Sequence, residues 1–216
     1  MTRYPSTHGV ARTRLAALPT SRYAAGQELG IMAGLRNLAP RHALHMNEAV
    51  ELAERQAEQL LRLARLDRPP VPSALITELP RVLVCVDVDL PASGGTQWVN
   101  GRWLLLINGS EPPTRQRFSL AHEYKHALDH RYREMLYQGI GRLSADEQAE
   151  RAADAFAAAL LMPRSWLLDA WQRGFQRRST LADLFEVSPQ AMARRLQTLG
   201  LRSALANRSN LDRRAA

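Results

Sequence analysis

The chain has 216 residues, 45% of them hydrophobic, and a net charge of +8 carried by 28 arginines and a single lysine, Lys125. That length holds one full domain with appendages, and the apolar fraction is ordinary for a globular protein. No apolar run approaches the roughly 18 residues of a membrane-spanning helix; the one cysteine, Cys85, excludes an intrachain disulfide and suits a reducing cytoplasm.

Residues 1–45 read as a basic, poorly ordered N-terminal extension, with Arg3, Arg12, Arg14 and Arg22 ahead of the first acidic residue, Glu28. From Asn47 to Ala64, Ala49, Val50, Leu52, Ala53, Ala57, Leu60 and Leu61 recur at threes and fours among charged residues, the stripe of an amphipathic helix. Pro69, Pro70 and Pro72 end it, and a short helix over 73–79 follows. Arg81–Leu90 carries Val82, Val84, Val86 and Val88 and reads as a buried strand, with Cys85 as a buried small hydrophobe. Residues 91–95 read as loop. Asn100-Gly101 between Gln97–Val99 and Arg102–Ile107 predicts a hairpin. Together these strands predict a small antiparallel sheet, and an edge of such a sheet can pair with an extended peptide.

Thr114 is a plausible cap for the next helix, which contains His122-Glu123-Tyr124-Lys125-His126. Helical residues four apart share a face, so both imidazoles can aim at one point. Zinc accepts two such nitrogens at about 2.0–2.1 Å, and a carboxylate one residue after the first ligand, here Glu123, can reach a water on that metal. Phe118, Leu120, Ala121, Ala127 and Leu128 supply an apolar face, on which unsatisfied histidines would be costly. His130 drifts around the helix away from His122. The third ligand is sought on an alanine-rich helix from Ala145 to about Leu161, started by the capping box of Ser144 and Glu147. There Glu150 and Asp154 lie four apart; Glu150 suits the third ligand position, and Asp154 suits accepting the free ring N–H of a ligand histidine. Glu147 competes for the ligand role but is engaged in the cap.

Beyond Pro163 the chain is helical again. Residues 180–196 resemble a helix-turn-helix, with Ser188 as cap and Pro189 in the first turn of its second helix. Gln190, Arg194 and Arg195 could face nucleic acid or a partner. The competing and favoured reading is that Leu181, Leu184, Phe185, Val187, Met192 and Leu196 pack this hairpin onto the preceding domain, so DNA binding is possible without being preferred.

The runs Arg115–Glu123, Glu150–Phe156 and Leu160–Pro163 resemble the ImmA/IrrE-like metallopeptidases, whose pattern is Arg-x-Arg-Phe-Thr-Leu-Ala-His-Glu-Leu-Gly-His followed by Glu-x-x-Ala-Asn-x-Phe-Ala-x-x-Leu-Leu-Met-Pro. Tyr124-Lys125 departs from the usual Leu-Gly. The resemblance implies an α+β, zincin-like core, a small antiparallel sheet packed on the metal helix and a Glu-bearing second helix, with a helix-turn-helix-like C-terminal extension. It implies one zinc held by His122, His126 and Glu150, catalysis by Glu123, and a helix-turn-helix repressor as protein substrate. The divisions expected are an extension over 1–45, a zinc metallopeptidase domain over 46–165, a helical region over 166–206 and a polar tail over 207–216. The alternative is a DNA-binding or docking regulator whose metal site is structural or inactive.

Overall fold

The computed structural model describes residues 25–201; the first 24 residues of the expected extension and the tail over 207–216 lie outside them. In chain order the described residues form α1 (Ala25–Arg36), α2 (Met46–Leu63), α3 (Ala74–Thr77), β1 (Val82–Asp87), β2 (Gly94–Val99), β3 (Arg102–Asn108), α4 (Pro113–Asp129), α5 (Arg133–Leu136), α6 (Ala145–Leu161), α7 (Arg164–Gln172), α8 (Arg178–Phe185) and α9 (Pro189–Thr198).

Three helices make the frame. The stripe of α2 buries Ala49, Leu52, Ala53, Gln56, Ala57, Leu60 and Leu61, and α6 runs between α2 and α4. Its alanines, Ala149, Ala152, Ala153 and Ala157, are buried on this interior side and let both neighbours approach closely. Phe156 fills the remaining space and meets the Tyr124 ring at 6.1 Å between centroids. The Ser144 hydroxyl accepts the Glu147 N–H at 3.1 Å and the Glu147 carboxylate accepts the Ser144 N–H at 2.8 Å, the expected capping box. The cap of α4 differs from expectation. The helix starts at Pro113 behind Pro112, so Thr114 is already inside it; proline at the first position presets φ and lacks only an N–H that would go unpaired anyway.

The sheet corrects the sequence reading. Its order is β1-β3-β2, with β2 and β3 antiparallel but β1 and β3 parallel, so it is mixed rather than antiparallel. The turn at Asn100 (φ 49) and Gly101 (φ 77) closes the hairpin with Val99 opposite Arg102. The connection over 88–93 carries β2 past β3 instead of folding it back beside β1. β1 is therefore an edge strand: Val86 is 53% and Val88 64% exposed, and Cys85 is half-buried rather than core. Valine alternation reports β-propensity and does not distinguish a central strand from an edge. β2 also begins earlier than expected, at Gly94, because its two glycines read as loop.

The expected extension is folded from Ala25. Ile31 and Leu35 of α1 are buried, and Arg36 donates to the Leu128 and Ala127 carbonyls at 2.9 and 3.0 Å, capping the end of α4. Gly30 and Gly34 weaken the helical signal of this segment. At the other end Leu181, Phe185, Met192 and Leu196 join the same core as Tyr124 and Phe156, so neither 45/46 nor 165/166 marks a break in it. Arg117 ties the pieces together: it donates to the Val71 carbonyl at 2.8 Å and pairs with Glu186 at 3.3 Å, beside the left-handed Glu186 (φ 51) that separates α8 from α9.

Among the described residues, no helix is long and apolar enough to cross a membrane.

Candidate metal centre

The α4 backbone places His122 and His126 one turn apart, and α6 brings Glu150 opposite both. His122 Nε2 and His126 Nε2 are 3.0 Å apart; Glu150 Oε2 lies 3.2 Å from the first and Oε1 3.3 Å from the second. Corners of a tetrahedron about 2.0–2.1 Å from its centre are separated by about 3.3 Å, so this spacing suits three ligands of one zinc. His122 Nδ1 faces Asp154 Oδ1 at 3.0 Å. With its proton on Nδ1, His122 presents a lone pair at Nε2, the form a metal requires. The four residues named from spacing therefore meet in one place, and the fit needs no further ligand from the chain.

The charges are strongly coupled. Burial disfavours the cationic form of His122, but hydrogen bonds to Asp154 and Glu150 outweigh it and push its pKa up to about 9. The hydrogen bonds from His122 and His126 hold the Glu150 carboxyl far below the ordinary range. Such a site attracts cations, whether protons or a divalent metal.

Glu123 is buried beneath β2, where Thr96 Oγ1 lies 2.7 Å from its Oε2 and 2.9 Å from its carbonyl oxygen. The hydroxyl has one hydrogen and donates to one of them at a time. Gly94 makes room for this carboxylate: a Cβ there would stand 2.7 Å from Oε1 and 2.8 Å from Cγ of Glu123. Gly94, Thr96, Glu123, His126, His130, Arg133 and Glu150 line one open pocket of about 340 Å³. Thr96 and Gly94 are the residues sequence reasoning missed; the signal was Gly94-Gly95 ahead of a strand, which can mark close backbone approach. His130 is exposed, packs edge-on against Trp103 at 5.0 Å and forms one wall of the pocket. Arg133 forms another, held by Asp146 at 2.5 Å. Two neighbouring tyrosines face away from this pocket. Tyr124 is fully buried behind the helix, and the Tyr137 hydroxyl donates to Asp129 at 2.5 Å.

The three C-terminal residues do not form one contact surface. Gln190 and Arg194 are exposed on α9, but Arg195 is only 5% exposed. Its guanidinium donates to the Met162 carbonyl at 3.1 Å and to Glu54 at 2.6 Å, pinning α9 to the end of α6 and to α2. Arg195 is thus withdrawn from a nucleic-acid contact, because its guanidinium is buried against acceptors inside the protein.

Comparison with known proteins bears on the fold and the family. No curated protein matches the chain. Among solved structures, a Mycobacterium tuberculosis transcriptional regulator superposes with a TM-score of 0.55 at 16% identity, over 77% of this chain and 51% of that one, a likeness of fold. The chain spans about half the length of that regulator. The family model for the IrrE N-terminal-like domain, peptidase M78, matches residues 80–197, from the sheet through both histidines and Glu150 to α9. The chain belongs to this family, the ImmA/IrrE-like peptidases.

Proposed function

We propose that the protein is a zinc-dependent endopeptidase acting on another protein in the cytoplasm, with a helix-turn-helix transcriptional repressor as the substrate class suggested by its family. The observation that carries the reading is the convergence of His122, His126 and Glu150 within hydrogen-bonding distance of one another, one residue from a buried carboxylate. Zinc held there would supply Lewis acidity and bring the pKa of a bound water toward about 7. Glu123 would accept the attacking water's proton and return it to the leaving amine, with Thr96 fixing the carboxylate's direction. Asp154 would keep His122 in the ligand tautomer. The substrate would lie as an extra strand along β2, since Gly94 and Thr96 of that edge line the same pocket as Glu123 and Glu150 whereas β1 is the far edge.

The rival reading, a DNA-binding regulator with a structural metal, is weakened by burial of Arg195 and by the open face at Glu150, whose side chain is more than half exposed. A structural zinc would recruit a fourth protein ligand, and only the trio of His122, His126 and Glu150 gathers among the described residues.

The test is metal content together with proteolysis. Natively purified protein should carry one zinc per chain and cut a cognate repressor into discrete fragments. Asp154→Asn should weaken zinc binding by about 10–100-fold, and Glu150→Ala by more. Zinc retained by Glu150→Ala at wild-type affinity would remove Glu150 from the ligand set. Gly94→Ala should keep its zinc yet lose about 100-fold in cleavage, because the added methyl displaces the Glu123 carboxylate. Unchanged turnover by that variant would show that the position of Glu123 is not critical.

A further inference from the structure

On the opposite side of α4 a second cavity, of about 390 Å³, opens between α1, the turn before β1 and the two tryptophans of the sheet. Small-molecule sites commonly have this size. Arg36, Arg81 and Arg131 line it, and among the described residues none of those lining it is acidic. Arg36 is fixed by its two bonds to the end of α4. Arg81 and Arg131 are exposed and form no ion pair among the described residues. Three guanidinium groups around one hollow repel each other unless an anion joins them.

Two aromatic features narrow the ligand. Trp98 is half exposed while its ring leans on Trp103 at 4.9 Å, so an indole face remains open beside the arginines. Tyr124, also lining the cavity, is completely buried and its hydroxyl has no hydrogen-bond partner among the described residues. A buried orphan hydroxyl is rare in a folded protein, and at the wall of a cavity it calls for a polar ligand atom. Bare phosphate would satisfy the arginines but leave the indole unused.

We propose that this pocket binds a nucleotide, its base stacked on Trp98 and its phosphate held by Arg81 and Arg131. The nucleotide could be free or a unit of a single strand, since both present the same base and phosphate. The site stands back to back with the metal centre: Tyr124 follows Glu123 on α4, and Trp103 touches His130 of the first pocket.

The experiment is calorimetric titration of the full chain with AMP, adenosine, inorganic phosphate and a short oligodeoxyadenylate. AMP should bind saturably, with adenosine and phosphate each weaker by about tenfold or more. Trp98→Ala and the double variant Arg81→Ala/Arg131→Ala should each weaken AMP by about tenfold or more. These three side chains are exposed, so the variants should fold, which their melting curves would verify. Tyr124→Phe should weaken AMP without lowering the melting temperature of the unliganded protein. Tighter binding of the oligonucleotide than of AMP, with the same sensitivity to the variants, would assign the site to a strand; the reverse order would assign it to a free nucleotide. Absence of saturable binding by both AMP and the oligonucleotide, or AMP binding indifferent to the variants, would overturn the proposal.

Discussion

Glu123→Gln is expected to slow cleavage by about 10²–10⁴-fold while leaving the zinc content at the wild-type level. The substitution is isosteric, so the side chain still fits beneath Gly94 and its carbonyl oxygen can still accept the Thr96 hydroxyl. What it loses is the lone pair able to take a proton: an amide is far too weak a base for that step. The histidines and Glu150 are untouched, so metal binding should not follow activity down. That separation distinguishes Glu123 from Glu150, whose replacement should remove metal and activity together. The measurement is zinc per chain by elemental analysis beside single-turnover cleavage of the repressor. Cleavage at the wild-type rate by a metal-replete Glu123→Gln protein would exclude the general-base role. A loss of zinc in that variant would instead make Glu123 part of the metal's surroundings.

The parts legible in the sequence were those whose partners lie close along the chain. The His122–His126 spacing, the Ser144–Glu147 cap and the Asn100-Gly101 turn each state their geometry within a few residues, and all three appear in the fold. Glu150 lies 24 residues beyond His126, yet it too was legible, because helix periodicity set Asp154 beside it. Contacts between distant segments were not. The parallel pairing of β1 with β3 depends on how a short connection crosses the sheet, which valine alternation does not encode. Thr96 reaches Glu123 only because β2 packs across α4. Arg195 looked like a surface cation because arginine usually is one; its acceptors, Glu54 and the Met162 carbonyl, stand 141 and 33 residues away. α1 was hidden by its glycines, although Ile31 and Leu35 are four apart.

The same logic explains Lys125, where the family pattern has glycine. The side chain does not clash; it enters a polar chamber deep in the protein. Its ammonium donates to Asp129 at 2.5 Å and to Gln56 of α2 at 2.7 Å, with the Tyr137 hydroxyl 3.5 Å away. Gln56 in turn donates to the Leu35 carbonyl at 3.1 Å, so one network links α1, α2, α4 and the residue after α5. Burial pulls the Lys125 pKa below the usual lysine range, and Asp129 pulls it back up. Lys125→Met, similar in length, should therefore cost about 3–5 kcal/mol in urea unfolding, because Asp129 is left buried with its charge uncompensated. Adding Asp129→Asn removes that charge while leaving an acceptor for Tyr137, so the double variant should recover most of the loss. A double variant no more stable than Lys125→Met would mean that the packing of the lysine stem, rather than the ion pair, holds this end of α4 in place. None of the hydrogen-bond partners of Lys125 is a metal ligand, and its ammonium points into the interior rather than toward Glu150. Zinc affinity measured well below the unfolding transition should therefore stay at the wild-type value in both variants, and a parallel fall in affinity and stability would show that the buried network also aligns His122 and His126.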